Sequence, residues 1–324
     1  MNQEIKTPPK GLAIFAMIGP GLIWCSEMVG SGEVILTTRT GAILGTGVMW
    51  AIILGIFLKF WIGLSGARYT VCTGEGMIDM FDRIPGPRHW VVWIVLVVQF
   101  FTAAISIGSI AAAAGVFINS MIPVSDVFGG WVVSLFAFII AWAGEFKFLK
   151  MIMSFFVFII LIGILYVAIT VFPPLTVILK GLFFSIPEVP DWAVASVGHS
   201  NPWREILPLM GWAAGGFASQ VWYTYWVLGG GYGAASGRGY GKPANVKALK
   251  TMTTQTAEKI KGWCRVVYAD ASIANIITIV LTLSFLIAGA VILGSNQQAP
   301  SGPQVAVTLS KIFASKWGSF GGFL

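Results

Sequence analysis

Long, nearly unbroken apolar runs separated by short polar stretches dominate this chain. A bilayer core takes about 20 mostly apolar residues per helix. The runs predict membrane helices at 12–37, 44–69, 90–118, 131–144, 151–171, 206–228 and 266–293, the fourth short and extended at one end. The pattern is that of an all-α polytopic membrane protein.

Composition removes the alternatives. Of 324 residues, 56% are hydrophobic and 10% charged, against about 45–50% and about 25% in soluble domains. A soluble enzyme, a disordered chain and a nucleic-acid-binding domain are all excluded; the partner of this surface is the lipid bilayer. Cys25, Cys72 and Cys264 are too few and too scattered for a disulfide framework or a CxxC metal site. His89 and His199 lie outside the long apolar runs. The first apolar run is too long for a cleavable leader.

The net charge of +7 reports topology instead. With the N-terminus in the cytoplasm, the inner segments hold Lys6, Lys10, Arg68, Arg83, Arg88, Lys147, Lys150, Arg238, Lys242, Lys247, Lys250, Lys259, Lys261 and Arg265. The outer ones hold Arg39, Lys180, Arg204, Lys311 and Lys316. The ratio is about three to one, as the positive-inside rule requires of a multi-pass protein of the cell membrane. Lys59, in the second span, is expected to snorkel toward the inner end.

Two loops stand out. The proline-rich, aromatic outer segment at 172–203 is expected to fold over the outer face, and the glycine-rich inner segment from 229 reads as a flexible linker. It lacks the Gly-x4-Gly-Lys-Ser/Thr spacing of a phosphate loop. A polar cytoplasmic helix is expected at 244–261. The stretch from Lys311 reads as the start of another membrane helix that stops mid-pattern, so the chain is expected to be truncated.

Chemistry is expected where the spans are weak. Gly30-Ser31-Gly32 interrupts the first span, and Gly211 to Gly216 interrupts the sixth. A broken helix survives in hydrocarbon only beside a cavity or packed protein, and paired breaks are the pattern of inverted-repeat transporters. Intramembrane carboxylates cost about 2.5–3.5 kcal/mol each on insertion scales, which makes them functional candidates. Glu33 follows the first break and is the metal-ligand candidate, with Arg39 as its alternative salt-bridge partner. Glu27, Arg39 and Asp270 are proton-linked or gating candidates, Asp270 being expected at the solvated end of its span. Gly30, Ser31, Gly32, Gly215, Gly216, Phe217, Ser219 and Gln220 complete the expected substrate site, with the carbonyls of Gly30 and Gly215 as ligands.

Ile18-Gly19-Pro20-Gly21-Leu22-Ile23, the glycine break and Thr40-Gly41-Ala42-Ile43-Leu44-Gly45 together resemble the start of the natural resistance-associated macrophage protein (Nramp) family. Arg68 and Thr73-Gly74-Glu75 are similar to the end of that family's second helix and the loop beyond it. Asp270-Ala271-Ser272 is similar to the Asp-Ser of its seventh. The resemblance implies a LeuT-type inverted-repeat fold and proton-linked transport of a divalent metal cation, with no cofactor and no enzymatic activity. It also implies a first five-helix repeat over 1–172, an outer loop over 173–205 and a partial second repeat over 206–324, with the glycine-rich loop at 229–261. The chain departs from the family at the site. The Asp-Pro-Gly-Asn motif falls on Gly30, Ser31, Gly32 and Glu33, and Met-Pro-His falls on Gly215, Gly216 and Phe217. With the thioether gone, a harder ion is one expectation. A small organic solute or amino acid, and a non-transporting receptor or scaffold, are the alternatives.

Overall fold

The computed structural model describes residues 5–30, 32–143 and 146–299, with Val307, Ala314 and Gly318 beyond them. Every regular element among the described residues is helical. After a single helical turn at Ala13–Ala16, the first predicted span is in two pieces. α1 (Pro20–Met28) opens on a proline, whose missing N–H costs nothing in a first turn. The chain resumes as a π-helical turn, Gly32–Thr37, that runs into α2 (Thr38–Leu44). A 3₁₀ turn at Gly45–Val48 leads to α3 (Met49–Thr73). α4 (Trp90–Met121), α5 (Asp126–Ala143) and α6 (Phe146–Thr170) follow. The sixth span is also divided, into α7 (Trp203–Trp212) and α8 (Phe217–Gly229). α9 (Thr254–Ala288) ends in a second π-turn, Gly289–Gly294.

Two loop expectations change. The polar helix expected at 244–261 is split into a short turn, Val246–Lys250, and the first turns of α9, which the Thr253 hydroxyl caps by accepting from the Thr256 N–H at 3.2 Å. The glycine-rich segment is no loose linker. Tyr232 and Ala235 are buried in it, and a Cβ on Gly233 would stand 2.7 Å from the Val71 carbonyl oxygen. Bare backbone can lie directly on the end of α3, and Tyr232 anchors it by donating its hydroxyl to the Met17 carbonyl. Burial, and then the charge of Asp270, hold the Tyr232 phenol far above its usual range, so it stays a donor. The proline-rich segment does fold over one end of the helices. Trp50 Nε1 donates to the Ser185 carbonyl at 2.8 Å, and Ser185 Oγ donates to the Gly47 carbonyl at 2.7 Å.

The interior is built mainly from the first, second, sixth and seventh spans, with Trp24 of α1 stacked on Tyr223 of α8 at 4.1 Å between ring centroids, and α6 adds the buried Ile164 and Val167. α4 and α5 instead turn large apolar side chains outward, Trp131 at 72% exposure among them. Among the described residues, four helical stretches, Gly32–Thr73, Trp90–Met121, Met151–Thr170 and Thr254–Gly294, are long and apolar enough to cross a membrane. In lipid, helices gain by packing backbone against backbone at small residues. A Cβ on Gly41 would stand 2.3 Å from the Leu286 carbonyl oxygen, and one on Gly289 would stand 2.2 Å from that of Thr38. α2 and the end of α9 thus touch through their main chains.

Gly41→Val should therefore push these helices apart and cost about 1–3 kcal/mol, read as a lower melting temperature in detergent. Gly108→Ala, whose new Cβ meets no heavy atom within 4 Å, should leave melting unchanged or raise it slightly.

Candidate functional site

α1 ends at Met28 with Val29 as its C-cap, and α7 ends at Trp212 with Ala213 as its C-cap. Each break frees backbone groups that a membrane interior cannot hydrate. Side chains take up much of that demand.

Glu33, 1% exposed, lies between the breaks. Its Oε1 accepts from the Ala214 N–H at 2.7 Å and its Oε2 from the Gly30 N–H at 3.3 Å. One carboxylate thus joins both interruptions. Ala214 stands at φ 61 and Gly215 at φ 65, the left-handed region that costs a residue with a Cβ about 1–2 kcal/mol. Ala214 is held there from both sides, since its carbonyl accepts from Gln220 Nε2 at 3.1 Å. Gly215 must be glycine for a second reason: a Cβ would stand 2.1 Å from Ser219 Oγ. Glu27, on the other side of the first break, accepts from Ser219 Oγ at 2.8 Å. Its Oε2, and Gln220 Oε1, are buried with no hydrogen-bond partner among the described residues.

Four expectations are corrected. Arg39 does not pair with Glu33. It binds Glu205 at 2.9 and 3.1 Å, with His199 3.3 Å from the same carboxylate, and so fastens α2 to α7. Asp270 is not at a solvated end. It is 0% exposed, and it accepts from the N–H groups of Gly19 (3.0 Å) and Gly21 (2.7 Å) and from the Tyr223 hydroxyl (3.0 Å). A negative charge on the exposed N–H groups of a helix start is favourable, and α1 begins there. A Cβ on Gly21 would stand 2.5 Å from the Asp270 carbonyl oxygen, which explains the glycine after Pro20. Phe217 turns away from the breaks, stacks on Phe81 and lines a lateral apolar cavity of about 760 Å³ with Trp222 and Gln99.

The fourth correction is Lys59. It does not snorkel. Its ammonium donates to the carbonyls of Met210 (3.1 Å), Gly211 (3.0 Å) and Gly215 (2.9 Å) and to that of Ala213. The Gly215 carbonyl expected as a ligand is therefore engaged. That of Gly30 accepts from the Val34 N–H at 3.0 Å. Ser31 lies outside the described residues, and a Cβ on Gly32 would press on Trp212 at 3.0 Å. Gly216 caps α8. Lys59 and Tyr223 are the site residues that sequence reasoning missed. A lysine in mid-span was the available signal, because its charge must find a partner wherever it cannot reach the interface.

Apolar helices of spanning length, arranged around two facing discontinuous helices, define a multi-pass membrane protein with a LeuT-type fold. Residues 21–199 match the family model "Natural resistance-associated macrophage protein-like", and the chain belongs to the Nramp family. A crystal structure of the Eremococcus coleocola manganese transporter, in complex with an aromatic bis-isothiourea substituted compound, is similar over 97% of this chain and 62% of its own (TM-score 0.67, 16% identity). A mutant of the same transporter matches equally (TM-score 0.68, 15% identity, 97% and 62%). Among curated relatives, the uncharacterized protein PM0681 of Pasteurella multocida is 28% identical over 110 residues, 34% of this chain and 25% of that one. The divalent metal cation transporter MntH of Erwinia tasmaniensis is 26% identical over 81 residues, 25% and 20% of the two chains. The chain thus spans 62% of the solved transporters and matches a quarter or less of the curated relatives.

Asp270→Asn should keep one acceptor oxygen and turn an amide N–H₂ toward backbone donors. The expected cost is about 1–3 kcal/mol, measured as a fall in melting temperature larger than that of Tyr223→Phe, which removes a single donor.

Proposed function

We propose that this protein is a secondary transporter that moves a divalent metal cation, linked to protons, by alternating access. The observation that carries the reading is the carbonyl cluster at the end of α7, which already holds a positive charge. Carbonyl oxygens at the C-terminal end of a half-helix favour a cation electrostatically. Glu33, from the first span, accepts from the Ala214 N–H in that break and adds a negative charge beside it. The manganese transporter and MntH, to which the chain is similar, support a metal as the cargo.

The structure also supplies a softer donor than the sequence offered. Met28, 2% exposed, ends α1 with its Cγ 3.8 Å from where a Gly215 Cβ would stand. The Thr278 hydroxyl lies 3.7 Å from its sulfur and 3.3 Å from Cys25 Sγ. A thioether missing from the sixth span is thus available from the first, and thioethers favour transition metals over hard cations.

In this reading Glu33, Met28 and the main chain at Ala213–Gly216 face the cargo. Glu27 and Asp270 are the proton-linked or gating carboxylates, and the Arg39–Glu205 pair closes one side. The five spans over 1–172 form the first repeat, 173–205 the connecting outer loop, and the spans from 206 belong to the second. The charge distribution supports a cytoplasmic N-terminus in the cell membrane.

Proteoliposomes bearing the full chain and loaded with a metal-sensitive dye should take up Mn²⁺. Glu33→Gln keeps the size but removes the charge, and uptake should fall at least tenfold while melting shows a folded protein. Unimpaired uptake by that variant would remove Glu33 from the site, and no uptake of any divalent metal by the parent chain would end the metal reading.

A further inference from the structure

Lys59 lies in the interior of α3, far from either helix end, with its ammonium among the carbonyls of Met210, Gly211, Ala213 and Gly215. Three of these oxygens belong to the last turn and C-cap of α7, which have no intrahelical donor. An ammonium has three protons for these four acceptors. Four carbonyl oxygens of one short segment, 210–215, thus converge on the group as oxygens converge on a bound ion. The Ala214 N–H, enclosed by the same residues, is turned to Glu33.

A free cation entering the second break would need these same oxygens. Metal–oxygen bonds run about 2.0–2.6 Å, shorter than the 2.9–3.1 Å of the lysine contacts, so the two cations cannot share the cluster. The lysine also ties α3 to α7 where they already touch: a Cβ on Gly55, one turn away, would stand 2.9 Å from the Met210 carbonyl oxygen. Removing the ammonium leaves that contact without its polar tie.

We propose that Lys59 is a built-in cation that occupies the cargo position of the empty protein, and that the transported ion must displace it. The displacement sets the affinity for the ion and releases α7 from α3 in the same step. This rests on the metal-transport reading above, but makes a claim of its own, since an ordinary counter-charge would aid the fold without competing with cargo.

The test is the affinity of the full chain in detergent for Mn²⁺, measured by titration calorimetry in the parent, Lys59→Met and Lys59→Arg. Lys59→Met keeps the stem and removes the charge. It should bind Mn²⁺ at least tenfold more tightly than the parent, and Lys59→Arg should bind no more tightly. Melting curves run beside the titration cover a loss of folding. Without metal, Lys59→Met should melt below the parent, and Mn²⁺ should raise its melting temperature by more than it raises the parent's. Parent binding with Lys59→Met equal or weaker overturns this proposal alone, as does a variant that stays unfolded at saturating Mn²⁺. Absence of Mn²⁺ binding in both parent and Lys59→Met overturns it together with the metal reading.

Discussion

A backbone group cannot be left bare in hydrocarbon, and this protein breaks two of its helices there. The rest of its interior follows from that demand. Charge inside a membrane costs several kcal/mol, so each buried charge needs a compensating set of dipoles. Here the two requirements answer each other. Asp270 takes the N–H groups at the start of α1, Glu33 takes those of Gly30 and Ala214, and Lys59 takes the carbonyls at the end of α7. Donors meet carboxylates and acceptors meet the ammonium.

Glycine supplies the complementary economy of space. Gly21, Gly41 and Gly289 let main chains come within contact of Asp270, Leu286 and Thr38. At those crossings the helices share backbone surface directly, which is the association mode left when lipid is as apolar as leucine. The hairpin of α4 and α5 shows the opposite face of the same physics: with large apolar side chains turned outward, it meets its surroundings through bulk.

Much of this was legible in the sequence. Apolar run length marked the spans, because bilayer thickness is a fixed ruler. Glycine pairs marked both breaks, because glycine weakens a helix wherever it stands. The partners of the charges were not legible. Arg39 is six residues from Glu33 but 166 from Glu205, and the longer separation wins because α7 is folded beside α2. Asp270 looked solvated because Lys261 and Arg265 precede it within ten positions, yet α9 continues inward as one helix and buries it. The glycine-rich segment looked loose because composition records freedom in the unfolded chain, not the surface a bare backbone later fits.

The clasp at Asp270 has a mechanical consequence. By holding the start of α1 and the Tyr223 hydroxyl together, it ties α1, α8 and α9 at one point. The irregular backbone that remains among the described residues is at Val29 and Gly30 and at Ala213–Gly216. Glu33 joins those two stretches through one carboxylate, so a change at either alters the hydrogen bonding of the other.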